Sequence, residues 1–149
     1  MPQSESLRRT QLFWIKSESL PIMDQVWQFP HLDMGLLVAE ELTRKPPGKY
    51  VSIEIDTFLR TTLRTSLADQ TSDPKGLVLK NLGILLEPDL ELNSINLFME
   101  LSKEAMVILV WDYTILDGVR FVWDEAVPGY GFLFPSHTIT QLELPHEVP

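Results

Sequence analysis

The sequence predicts an α/β domain: three layers built on a mostly parallel sheet, with a β-rich decoration at the C-terminal end. Two observations carry that expectation. Strand-like and helix-like apolar patterns alternate along the first three quarters of the chain, which is the habit of a sheet connected by helical crossovers. The stretch Met106–Trp111 reads Met-Val-Ile-Leu-Val-Trp without a polar alternate, as a strand covered on both faces must. A chain of 149 residues has room for one such domain with its own core.

Taken in order, residues 1–20 read as a flexible arm with one apolar knot, Leu12-Phe13-Trp14-Ile15, suited to dock on the domain or on a partner. The domain is expected over 21–144, with 145–149 as a tail. A short strand is expected at Gln25–Phe29, closed by Pro30. Asp33 can cap a helix whose Met34, Leu37, Val38 and Leu42 make one buried stripe, stopped by Pro46-Pro47. In Tyr50–Ile55, Val51, Ile53 and Ile55 alternate with Ser52, Glu54 and Asp56, which predicts a second strand. Asp56 then caps a helix with Leu59, Leu63 and Leu67 in an i, i+4 row. Loop chemistry over Thr71–Gly76 leads to a third strand at Leu77–Leu79, leaving through Ile84–Leu86. Asn93 or Ser94 caps a third helix running to about Glu104, and the central strand follows. Asp117-Gly118 signals a hairpin, and Val119–Trp123, Gly131–Phe134 and Thr138–Leu144 form the β-rich decoration.

The net charge of −9 argues against a general nucleic-acid surface, which needs cations to neutralise phosphates. No apolar run is long enough for a membrane span, and no apolar stretch follows Arg8-Arg9 to make a secretory signal. The chain has no cysteine, which removes disulfides, thiolate metal ligands and cysteine nucleophiles together. These features lead us to expect a cytoplasmic protein that does not associate with membranes.

In a parallel sheet the ligand site lies at the carboxyl ends of the strands. The first loop there, on this reading, is Gln28–Gly35. A phosphate cradle needs glycines, a lysine and a Ser or Thr for magnesium, and this loop supplies only a late Gly35. Asp33 also sets a carboxylate at the helix N-terminus where the phosphate belongs. The third strand, where a magnesium-holding acid is wanted, carries Lys80-Asn81-Leu82-Gly83.

The stretch Leu77-Val-Leu-Lys80-Asn81-Leu-Gly83-Ile-Leu-Leu-Glu87-Pro88-Asp89-Leu90-Glu-Leu92 resembles the Walker B strand and following acid-proline turn of a known family. That family is the small P-loop ATPase subunit of BREX (bacteriophage exclusion) defence systems. Leu97–Ser102, Val107–Trp111 and the Pro128-Gly129 pair resemble its later helix, strand and Pro-Gly, so the likeness runs from Tyr50 to about Leu144. The family has Asp where this chain has Lys80 and Glu where it has Gly83, and its Walker A loop falls at Phe29–Gly35. The resemblance implies a P-loop NTPase-type fold and membership of a defence assembly, without ATP turnover.

The expected function is therefore a non-catalytic binding or scaffold subunit, a pseudo-ATPase without cofactor or metal. Its partners would be other protein subunits of a defence complex or copies of itself. Candidate interaction residues are Trp14, Trp123, Tyr130, Phe132 and Phe134, with Arg60 and Arg64 one helical turn apart as a possible anion grip or an ordinary solvated face. The aromatic segment Tyr130–Phe134 reads equally as a hairpin folded onto the sheet or as an exposed patch. Two alternatives stand beside this reading: a nucleotide-responsive component with a composite site, and a metal-dependent nuclease or hydrolase using Glu54, Asp56 and Asp112. Asp112 has the further readings of a phosphate-sensing residue or a cap, and His31, His137 and His146 have no zinc spacing.

Overall fold

A computed structural model describes residues 11–45, 48–124 and 130–144. The chain is an α/β protein in which a five-stranded parallel sheet is joined by a small antiparallel one. The elements are β1 (Leu12–Ile15), α1 (Leu20–Val26), β2 (His31–Asp33), α2 (Met34–Arg44), α3 (Val51–Ala68), β3 (Gly76–Lys80), α4 (Ser94–Leu101) and β4 (Met106–Val110), then β5 (Ile115–Leu116), β6 (Arg120–Val122), β7 (Gly131–Leu133) and β8 (Ile139–Gln141). The large sheet has the order β2-β3-β4-β1-β8 and every pairing in it is parallel. Strands β5, β6 and β7 make the antiparallel sheet.

Alternate residues of the sheet enter two separate cores. Leu12, Leu77, Leu79, Val107 and Leu109 pack with α2, α3, α4 and the aromatic residues of the small sheet. Ile15, Val78, Met106 and Ile108 pack with Met23 of α1 and with Phe29. This division follows from connectivity. The step from β1 to β2 runs one way along the sheet, and every later step runs the other way. Right-handed crossovers then place α1 on one face and everything else on the opposite face.

Several expected elements are present. Strands β3 and β4 pair in the middle of the sheet, with Leu77↔Val107 and Leu79↔Leu109 in register. Asp33 caps α2 by accepting the Leu36 N–H at 2.9 Å, and Asn93 caps α4 by accepting the Asn96 N–H at 3.1 Å.

Four expectations are corrected. The apolar knot Leu12–Ile15, placed in the arm, is β1 and lies between β4 and β8, with Leu12 and Ile15 buried. Residues 1–10, half of that arm, lie outside the described residues, as do Pro46-Pro47 and the tail 145–149. The strand expected at Gln25–Phe29 is instead the end of α1 and an extended connection. The edge strand is β2, whose partner Val78 also donates its N–H to the Pro30 carbonyl at 3.0 Å. Tyr50–Ile55 opens helix α3 and forms no strand. Its alternation is real, but Ile53 is 65% exposed, and the longer row Ile55, Leu59, Leu63 and Leu67 is what becomes buried. A four-residue repeat kept over three turns outweighs a two-residue repeat kept over five residues. Finally, Thr138–Leu144 contributes β8 to the parallel sheet, whereas β6 and β7 are the decoration.

The placement of β1 makes a direct prediction. Ile15→Ala removes packing from a strand interior and should cost about 2–5 kcal/mol in urea unfolding, where an arm residue would cost nothing measurable.

Candidate functional site

The chain turns back along the sheet at β2, and its exits from the neighbouring strands β1 and β4 therefore run in opposite directions, which makes a switch point at β1. The exit loop of β1 goes to one face while that of the neighbouring β4 goes to the other. In open α/β sheets such a switch point leaves a crevice beyond the carboxyl ends of the strands, where ligands bind. The loop to examine is thus Lys16–Ser19 after β1, and the segment Gln28–Gly35 belongs to the sheet edge. This moves the site from where the sequence placed it. Unlike Gln28–Gly35, the new loop does contain a lysine and two serines, Lys16, Ser17 and Ser19. It has no glycine and almost no length: Lys16 alone separates β1 from the 3-10 turn Ser17–Ser19. A phosphate cradle takes about eight residues between strand and helix so that successive N–H groups can curl round the anion.

The donor that opens this turn is already engaged. The Ser17 N–H donates to Asp112 Oδ1 at 2.8 Å, across the switch point from the exit of β4. Asp112 therefore acts as a strand-end carboxylate that satisfies a backbone donor. The neighbouring strand ends are closed in the same way. Asn81, in the left-handed conformation with φ of 55°, donates its side-chain amide to Asp33 Oδ1 at 2.9 Å. Its amide also lies where a Cβ on Gly35 would fall. A Cβ on Gly83 would fall on the Trp123 indole, so the space beside the end of β3 is filled by an aromatic ring. That ring packs against Tyr113 at 4.9 Å and Trp111 at 5.9 Å between centroids.

Asp33 carries the clearest electrostatic signature here. The Leu36 N–H, then the Asn81 amide, hold its carboxyl below the usual aspartate range; Lys80 adds its positive charge, and partial desolvation opposes them. Arg60 is pushed up by Asp56 and Glu100.

The other residues singled out in the sequence are scattered. Trp14 is half-buried, edge-on to Phe121 at 6.2 Å. Trp123 and Tyr130 are half-buried and joined by a Trp123 N–H to Tyr130 carbonyl bond of 2.9 Å. Phe132 and Phe134 are buried, so for these two the folded-in reading of the aromatic segment is the one observed. Arg60 binds Asp56 at 2.8 Å and also Glu100, while Arg64 reaches Glu104 at 3.2 Å. Both arginines thus link α3 to α4 and the turn after it, and carboxylates occupy the grip that was open to an anion.

Glu54 and Asp56, expected on one strand face, sit two apart on a helix, a spacing that does not bring side chains together. Glu54 pairs with Lys45 at 3.0 Å, and Asp56 with Arg60. Among the described residues no three His, Asp or Glu side chains are grouped to hold a metal ion, so Glu54, Asp56 and Asp112 do not form such a group. His31 Nε2 lies 2.9 Å from Asp24 Oδ1. His146 and Pro128-Gly129 lie outside the described residues. No helix among the described residues is long and apolar enough to cross a membrane.

Sequence reasoning missed Lys16, Ser17 and the Ser17–Asp112 bond. A four-residue apolar run next to a polar N-terminal sequence has no local signal that separates a strand from an arm.

No family model, curated protein or solved structure matches the chain.

Two outcomes follow. A depressed Asp33 pKa means a stabilising contribution present above the unfolded aspartate value, near pH 4, and lost as pH falls through the folded value. Asp33→Asn keeps a capping oxygen and should flatten that part of an acid-unfolding profile. Gly83→Ala must displace the Trp123 ring, so it should cost about 1–3 kcal/mol and shift tryptophan emission in the folded state.

Proposed function

We propose that the chain is a non-catalytic binding or scaffold subunit of a prokaryotic anti-phage defence complex, a pseudo-ATPase on a degenerate P-loop NTPase-like fold. The observation that carries this reading is the Ser17 N–H bound to Asp112 at the switch point, in a loop one residue removed from β1. A nucleotide's phosphates would need that donor and several more, and would meet a carboxylate in their place. The filled space beside Gly83 and the Asp33–Asn81 bond support the same reading at the ends of β3 and β2. The BREX-like stretch Leu77–Leu92 supplies the proposed setting. It spans β3 and the two 3-10 turns that lead from it towards α4.

A second reading, a composite nucleotide site completed by a partner, is favoured by Lys16 and Lys80. They close the strands on either side of β4, and neither has an ion pair among the described residues.

Titration of the isolated protein with ATP and a fluorescent ATP analogue, with and without magnesium, separates the two. The proposal expects no saturable binding and no shift in melting temperature. Saturable binding with a matching thermal shift would overturn it as stated.

A further inference from the structure

We infer that the outer face of the β5-β6-β7 sheet is a docking site for an amphipathic helix of a partner protein, one that sets a carboxylate on Arg120 between two apolar side chains. The inference rests on the reading of this chain as a binding subunit and names its surface and the chemistry of its partner.

The register defines the face. Leu116 of β5 lies opposite Arg120 of β6, and Arg120 lies opposite Leu133 of β7, so the three side chains form one row across the sheet. The reverse face carries Ile115, Phe121 and Phe132, of which Phe121 and Phe132 are core residues. Leu116 is 48% exposed and Leu133 54% exposed, and Arg120 is exposed between them. The floor beneath is set by aromatic contacts, with Phe121 at 5.0 Å from Phe134 and 5.7 Å from Trp111 between ring centroids. A partner would therefore meet a row that is already in place, which lowers the ordering cost of binding.

Charge gives the occupant its sign. Of the four described arginines, Arg44, Arg60 and Arg64 are each matched by a carboxylate. Arg120 is the fourth and has no ion pair among the described residues, as is also true of several exposed lysines that lack its two leucine neighbours. Arginine is among the side chains enriched at interface anchor points, and its complement is a carboxylate.

Spacing gives the occupant its shape. Neighbouring strands lie about 4.8 Å apart, so the row spans about 10 Å. A helix laid across the strands presents side chains about 5–6 Å apart at i and i+4, and i and i+7 about 10.5 Å apart. Apolar residues at i and i+7 with an acid at i+4 therefore match Leu116, Leu133 and Arg120. An extended segment steps by about 6.6 Å between same-face residues and overruns the row.

The test is fluorescence anisotropy on the full chain. The probe is a pool of alanine-based helical peptides with Leu at i and i+7 and Glu at i+4, the other contacting positions varied. A second pool with Lys at i+4 serves as control. The expected result is saturable binding of the glutamate pool only, weakened at least about tenfold by Arg120→Glu or Leu133→Ala. Arg120→Glu should also gain binding to the lysine pool. Both sites are exposed, and unchanged thermal melting verifies that each variant is folded. No saturable binding of the glutamate pool, or binding indifferent to both substitutions, overturns the proposal. A chain that fails this test loses the surface whatever the ATP titration gives. A chain that binds ATP but passes keeps the surface and loses the pseudo-ATPase reading.

Discussion

Strand β4 imposes the constraint from which the rest of the architecture follows. Its five residues, Met106–Val110, offer no polar side chain, and four of them are buried. Such a strand needs a hydrogen-bonded neighbour on each side and apolar cover on each face. β3 and β1 supply the edges, while Met23 and Phe29 cover one face and α3 and α4 help to cover the other. Because β1 comes first in the chain and β3 later, putting both beside β4 forces the chain to travel outward to β2 and return. That return creates the switch point, whose position is thus a consequence of how the most apolar strand is enclosed.

What the sequence made legible and what it hid can be traced to the same physics. β3, β4, α2 and α4 were readable because each signals locally, through an unbroken apolar run or through a cap such as Asp33 or Asn93. β1 was not, since Leu12-Phe13-Trp14-Ile15 has the composition of a strand and of a sticky arm alike. Only its pairing with both β4 and β8 distinguishes them, and pairing is not a local property. The start of α3 failed for a different reason: Val51, Ile53 and Ile55 are good strand formers, and tertiary packing of Ile55 with Leu59 and Leu63 overrides that propensity. Ile53 is left facing outward as the residue of the conflict.

The position of β1 decides which loop lies at the switch point, Lys16–Ser19 in place of Gln28–Gly35. Gln28–Gly35 lacks lysine and serine. The loop that follows β1 has both, and the physical objection becomes one of geometry: too few residues to form a cradle, and a first donor already bound to Asp112. Asp33 does hold a helix N-terminus, as its composition suggested, but at the sheet edge beside Asn81. Carboxylates thus satisfy exposed N–H donors at two strand ends. Each removes a position where an external anion would gain most from the helix or turn dipole.

The distribution of cations extends this reasoning to the surface. On the helical side, Arg44, Arg60 and Arg64 are held by Glu41, Asp56, Glu100 and Glu104, which ties α3 to α4 and the turn after it. Exposed ion pairs of this sort add little stability each, but they occupy the arginines that could otherwise grip a partner's carboxylate. The antiparallel sheet is arranged differently. Its inner face is given to Phe121 and Phe132, which complete the core beside Trp111, and its outer face keeps Arg120, which has no ion pair among the described residues, between two leucines. The core accounts for the inner row and leaves the outer row without a structural role. With the Ser17 N–H bound to Asp112 at the switch point and the inner face of the small sheet packed on the core, that outer row is an exposed feature that neither the strand ends nor the core accounts for.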